Sequence, residues 1–384
     1  MAPVDVLEAP EVNLALPHDS LIGDVREISR NVLSPLTSDI DAGFYPSDVL
    51  RELAGAGAMS AHLKAPHGHD DMSMSLKAMA EVSQVCGSTG FLMWCHGVCG
   101  IYLQQAASTH LREDRLLDHV SGFGLGGTAL SNPMKSYAKI ETFLLHAKPV
   151  AGGYMVSGSL PWVSHLGPEN YCGAIAQIEA ASGNNPSREV MFLLDCADDA
   201  VDLQACPSFS GMEGTGTYAL HLNNYFVGDD RLIADPAQPF IRMIRAKFVL
   251  LQTGWAAGVI QGGLQSMRAV QSSLGHVNRY LDVQPAQLQD EFDQWWDDTL
   301  ALSRMAPDGS DEGFVAVLKA RARGSVLSLK SAQAGLLHQG ARGYLMTSAV
   351  QRRIRESHFV AIVTPALKHI YSEIDRLEGL SKSH

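Results

Sequence analysis

Gly153-Tyr154-Met155-Val156-Ser157-Gly158-Ser159-Leu160-Pro161-Trp162-Val163-Ser164 sets β-favouring side chains between glycines and closes on a proline, a tryptophan and a hydroxyl. Composition and turn punctuation make it a strand. Its plainest use is a hairpin with a core tryptophan. The β signal spreads on both sides, through Lys139–Leu145, Tyr171–Ile178, Val190–Leu194 and Tyr218–Phe226. Before it, Val49, Leu50 and Leu53, then Met72, Leu76, Met79 and Val82, recur at helical spacing. Phe91–Leu103 is apolar on all sides, as a buried helix is. After it, Phe240–Ser273, Ala286–Met305 and Phe314–Gln339 predict three long helices, with a break at Leu281–Pro285. The blocks predict an α+β chain: a helical domain over 1–124, a β domain over 125–236 and a helical domain over 237–384.

The 384 residues suffice for a large core. Apolar residues make up 46% and the net charge is −12, which argues against bulk attraction to nucleic acid. No stretch reaches the roughly 20 apolar residues of a membrane span. Met1–Ser20 has no apolar run of signal-peptide type. Cys86, Cys95, Cys99, Cys172, Cys196 and Cys206 are scattered, unlike a disulfide framework. The expectation is a cytoplasmic protein with reduced thiols.

Three motif regions resemble the acyl-CoA dehydrogenase superfamily, in order along nearly the whole chain. Ala129-Leu130-Ser131-Asn132-Pro133 is similar to the family's L-T-E-P turn, although Ser-Asn-Pro is also a plain turn signal. Gly153 to Ser164 is similar to G-Y-x-L-N-G-x-K-x-W-I-T, with Leu160 in place of the lysine. Gln339-Gly340-Ala341-Arg342-Gly343-Tyr344 and the following Val350–Ser357 resemble G-G-x-G-Y and V-E-R-x-x-R-D-A. There the plain alternative is a helix-turn-helix corner without a ligand, and the family's glutamine falls on Leu337.

The resemblance implies an N-terminal helical domain, a central β-barrel or sandwich, and a C-terminal four-helix bundle. It also implies a flavin between the last two, FAD or a diffusible reduced flavin (FMN or FADH2). Leu130, Ser131, Trp162, Ser164, Gln339, Gly340 and Ala341 take the cofactor-binding positions. An aromatic plane suits a flat heterocycle, and a hydroxyl can bond a ring nitrogen. A homotetramer or homodimer is implied, as is a flavin reductase or electron-transfer protein as partner.

The family's catalytic glutamate falls on Thr364 in Arg353–Ile370, and a hydroxyl is a poor base. The alternative position for that base falls on Lys247 or Phe248. The subunit-crossing R-x-x-F-G motif has no equivalent around Gly275–Tyr280. A branch of the superfamily, the flavin-dependent monooxygenases, dispenses with the glutamate and uses histidine and hydroxyl groups. This makes His96 a catalytic candidate with Thr364 and Ser164, although a satisfied core histidine is the plain reading. His358 is a second candidate that also reads as exposed. The leading expectation is a monooxygenase acting on a small molecule. The alternatives are an acyl-thioester dehydrogenase with a relocated base and a non-catalytic flavin- or acyl-binding partner.

No metal is expected. His67-Gly68-His69-Asp70-Asp71 reads as a loop, and Cys95 and Cys99 lack a second pair. Gly122–Gly127 lacks the βαβ setting of a dinucleotide fold, and Trp295-Trp296 reads as helix packing.

Overall fold

The computed structural model describes residues 18–179, 188–305 and 309–381. Its first part is helical: α1 (His18–Ile28), α2 (Ser34–Asp41), α3 (Ser47–Gly55), α4 (Met72–Val85), α5 (Gly87–Gln104) and α6 (Leu116–Val120). Asp71 opens α4 by accepting the Met74 N–H at 3.0 Å, meeting an amide that has no partner inside the helix. Every α5 residue from Gly87 to Leu103 is buried. No side chain at its N-cap bonds its first turn. Instead, the Gly87 N–H donates to Glu356 Oε1 at 2.9 Å.

Next come β1 (Gly126–Thr128), α7 (Ser131–Tyr137), β2 (Leu145–Val150), β3 (Gly153–Val163), β4 (Tyr171–Ile178), β5 (Arg188–Asp195), β6 (Val201–Ala205), β7 (Tyr218–Val227) and β8 (Leu232–Ala234). They form one sheet in the order β6-β7-β3-β2-β4-β5-β8, with β1 parallel to β4. The sheet has its own apolar core, including Val156, Phe192, Leu194 and Tyr225. The pairing of β3 with β7 slips at Val156–Gly158 and again at Leu160–Val163. At the first slip, Gly158 has φ +137°, and a Cβ there would lie 2.2 Å from Leu144 O, so only glycine fits.

The expected strand Lys139–Leu145 is a correction: β2 begins only at Leu145. The Asn132 side chain donates to Thr142 O at 2.8 Å and accepts from Leu144 N at 3.1 Å. These bonds replace a ladder and hold the segment as a loop.

The last part is α8 (Ala237–Arg268), α9 (Gln271–Asn278), α10 (Pro285–Arg304), α11 (Asp311–Gln339), α12 (Ala349–Ile362) and α13 (Leu367–Ser381). The helix expected to run to Ser273 stops at Arg268. Val270 leaves helical geometry (φ −109°, ψ 4°) with no proline or glycine beside it to mark the break. α8 is the spine of this part. On one side, a Cβ on Gly258 would lie 2.3 Å from Ala80 O of α4. On the other, Ser331 of α11 donates to Ile260 O at 2.6 Å. Among the described residues, no helix is long and apolar enough to cross a membrane.

Candidate active site

α12 ends at Ile362, and Val363-Thr364-Pro365-Ala366 turns the chain into α13. This turn closes a cavity of about 560 Å³ against the loop after α7. Thr364, Ile362, Leu367, His369, Lys135 and Glu141 contribute to its lining. Thr364 Oγ1 lies 2.8 Å from Ser131 Oγ at the start of α7, so the two sequence-chosen hydroxyls meet across 233 residues.

The turn is held from behind. Gln252 of α8 donates its Nε2–H to Thr364 O at 2.9 Å. Its Oε1 accepts from Arg321 Nε at 2.8 Å. Arg321 also donates to Val360 O at 2.5 Å and bonds the Ser325 hydroxyl. Arg321 is fully buried, and burial lowers its pKa to about 9. The guanidinium makes its bonds to neutral oxygens: it holds Val360 O near the end of α12 directly and the Thr364 carbonyl through Gln252.

Two titratable groups in the cavity differ. The Glu141 carboxylate bonds Lys135 Nζ at 2.7 Å and Asn132 Nδ2 at 3.2 Å. The hydrogen bond from Lys135 holds its pKa below the usual value, so it is a weakened base. His369 is 8% exposed and its Nδ1 has no partner. Burial lowers its pKa, opposed by Glu373 and reinforced by Lys135, so the imidazole is neutral near pH 7.

A second group of hydroxyls lies at the end of β3. Trp162 is 61% exposed beside the second β3–β7 slip. Ser164 Oγ is 2.7 Å from Thr217 Oγ1. β1 connects the two groups: a Cβ on Gly127 would lie 3.0 Å from Ser164 O, and the chain then runs through Leu130 to Ser131. An exposed indole plane and hydroxyls are groups that fit a flat heterocycle with polar edges, as flavin is, although Ser131, Trp162 and Ser164 do not themselves line the cavity.

The other sequence-chosen residues lie apart. Leu130 is fully buried in the helical core. Gln339 ends α11 and donates to Ser266 O at 2.8 Å. Gly340, at φ +62°, and Ala341 are exposed on the turn between α11 and α12. His358 is exposed on α12.

His96 does not line the cavity. Its ring stacks on His119 with centroids 3.5 Å apart and planes at 5°. Each Nε2 is 3.0 Å from the other residue's backbone carbonyl, so each Nε2 carries hydrogen. Each Nδ1 then accepts: His119 from the Tyr171 hydroxyl at 2.7 Å, and His96 from Gly126 N–H at 3.4 Å. Burial pushes His96 down to about 3 and His119 well below its ordinary value.

His369, Gln252 and Arg321 were missed from sequence. Thr364 came to notice through the junction, and His369 lies one helical turn past Pro365. A histidine so close behind a loop-forming Thr-Pro is the signal that could have found it.

Residues 17–122 match the family model for the acyl-CoA dehydrogenase N-terminal domain. A short-chain-specific acyl-CoA dehydrogenase of Clostridium acetobutylicum is 24% identical over 113 residues, 28% of this chain. The match spans only 30% of that relative's length. Butyryl-CoA dehydrogenase from Megasphaera elsdenii superposes with a TM-score of 0.81 at 15% identity, over 93% of this chain and 96% of its own. A structure described as the electron transferring flavoprotein of Acidaminococcus fermentans gives 0.83 at 14% identity, over 94% and 97%. The HsaA monooxygenase from M. tuberculosis gives 0.75 at 16% identity, over 94% and 99%. At these identities the superpositions speak for the fold. Residues 17–122 thus match the model of that N-terminal domain, and along nearly its whole length the chain has the fold of these acyl-CoA dehydrogenase-like structures.

Proposed function

We propose that the protein is a flavin-dependent monooxygenase that uses reduced flavin and dioxygen on a small molecule. The observation that carries this reading is the cavity itself. It presents Thr364 where the superfamily resemblance calls for a glutamate, and a neutral His369 beside it. Removing an α-proton from an acyl thioester needs a competent base, and a threonine hydroxyl is not one. Reduced flavin supplies two electrons, so that one oxygen atom enters the product and the other leaves as water. Trp162 covers the ring, Ser131 and Thr364 bond its edge or the substrate, and the His369 imidazole takes a proton from the substrate. FAD or FMN delivered by a reductase fits a site open at Trp162. A homo-oligomer built on the long C-terminal helices belongs to the same proposal.

Glu141 favours a second reading, a dehydrogenase with a relocated base, because its carboxylate lines the same cavity. Its bond to Lys135 weighs against it.

The test is stopped-flow absorbance. Protein is mixed anaerobically with reduced flavin and then pulsed with oxygenated buffer. A transient unlike either oxidised or reduced flavin supports the monooxygenase. Reoxidation at the rate of free flavin, with anaerobic bleaching of bound oxidised flavin by an acyl thioester, supports the dehydrogenase instead. Flavin binding with neither response points to a non-catalytic protein.

A further inference from the structure

A second cavity, of about 190 Å³, lies between the loop after α3, the end of α5 and one face of α8. It shares no lining residue with the Thr364 cavity. Lys247 is its contribution from α8. Lys247 stands five residues before Gln252, and so about 140° around the helix from it. His62, Lys64, Ile101, Gln104 and Gln105 also line the space. Lys64 is exposed, while Lys247, Gln104 and Gln105 are half-buried.

This lining holds two ammonium groups and no carboxylate. Among the described residues, neither lysine side chain has a hydrogen-bonded or ion-paired partner. Lys247 is the more unusual, because Ala246 before it and every residue from Phe248 to Ile260 after it are buried. A charge partly withdrawn from water is costly unless it is paired. His62 does not balance it. Its Nε2 is 2.9 Å from Gly97 O and its Nδ1 is 3.0 Å from Ser75 Oγ. Burial, opposed by the bond to Gly97 and reinforced by the Lys247 charge, pushes His62 down to about 4, so the ring is neutral. The C-terminal end of α5 brings about half a negative charge, short of the two positive ones. The Gln104 side chain bonds Lys64 N and Lys64 O, both at 3.1 Å, which pins the loop to the end of α5. The Gln105 amide has no partner among the described residues.

We propose that this pocket binds a small oxyanion, the phosphate or carboxylate group of a small molecule. Lys64 and Lys247 supply the charge, and lysine suits such a group as a point charge. Gln105 and the second amide hydrogen of Gln104 can add donors. An anion held by both lysines ties the loop after α3 to α8, the helix whose Gln252 holds the Thr364 carbonyl. The site needs no flavin, so it stands or falls apart from the function proposed above.

The experiment follows the thermal unfolding midpoint of the full-length protein in Tris–chloride. Inorganic phosphate, glycerol 3-phosphate or succinate is titrated in at fixed ionic strength, because screening alone alters charge interactions. A ligand that binds only the folded chain raises the midpoint with its concentration. At least one probe is expected to give a dissociation constant of about 1 mM or tighter, the scale of two charge-assisted contacts. Lys247→Met and Lys64→Gln should each weaken it about tenfold or more. Lys319→Met, at a lysine already paired with Glu378, should leave it unchanged. Circular dichroism checks folding, and Lys64→Gln, at an exposed position, keeps the test open if Lys247→Met misfolds. A response to both phosphates but not to succinate assigns the site to phosphate, and the reverse assigns it to carboxylate. Phosphate also stabilises folded proteins in general, through its exclusion from their surfaces. A rise of equal size in wild type and both pocket variants is that general effect and overturns the proposal, as does the absence of any response to the three probes.

Discussion

His96 and His369 are both buried, at 1% and 8% exposure, yet their rings meet opposite surroundings. His96 sits in a dry cluster where His119, Tyr171 and Gly126 meet its hydrogen-bonding needs directly or through the stacked partner. His369 lines an apolar cavity, and its buried Nδ1 has no partner. A ring whose nitrogens are all engaged fastens the structure. A ring that lines a cavity, with its nitrogens not all engaged, can act on what enters.

The sharpest way to break this contrast is to change one ring at a time. His369→Gln should lower the rate of product formation about 10²–10⁴-fold, the usual scale for a general acid or base. Its thermal midpoint should hardly move. His96→Ala should instead cost about 3 kcal/mol of stability, from the cavity and the bonds lost, read as a lower urea midpoint. A His96→Ala protein that stays stable and loses turnover would reverse the assignment.

pH sharpens the same comparison. Burial holds His62, His96, His119 and His165 neutral, with His62 lowered to about 4 and His96 to about 3. Below their unfolded value near 6.5, the unfolded chain binds protons that the folded chain refuses. Stability is therefore fully present above about pH 6.5 and declines as pH falls towards 4. Urea midpoints across that range test this, and a flat profile would contradict the dry cluster. If His369 acts as a base, the acid limb of its rate profile lies below pH 6.5, because its pKa too is lowered.

Gln252→Met takes the support from the Thr364 carbonyl and one acceptor from Arg321, and should cost about 1–3 kcal/mol. Turnover should fall with it if the junction must be held, whereas a purely structural role lowers stability alone. The smallest stability effect belongs to Trp162→Ala. It should weaken flavin binding while changing stability by less than about 0.5 kcal/mol, because the indole is already exposed.

The fold was readable where a pattern is local. The apolar run of α5, the strand that carries Trp162 and the long C-terminal helices need no knowledge of partners. Ser131 and Thr364 were reached through motif resemblance, and the structure brings their hydroxyls together. His369 was not visible, because its burial depends on α13 folding back over the loop after α7. Arg321, a charge in mid-helix, carries no local mark of its burial, which comes from the packing that brings Gln252 and Val360 O to it. His96 stood out for its apolar helix, but its partner His119 lies 23 residues away and no spacing rule links them. Lys139–Leu145 resembled a strand in its β-favouring side chains and flanking turn signals, and the Asn132 bonds that hold its first residues as a loop come from outside the segment.

The bond between Gly87 N–H and Glu356 bears on how the protein is made. The ribosome releases the chain from its N-terminus, so the most buried helix emerges 269 residues before the carboxylate that completes its first turn. The first amide of α5 gains this partner only once α12 has been translated. A product cut short before Glu356 leaves that amide unmet and an apolar helix end uncovered, and quality-control machinery recognises such surfaces.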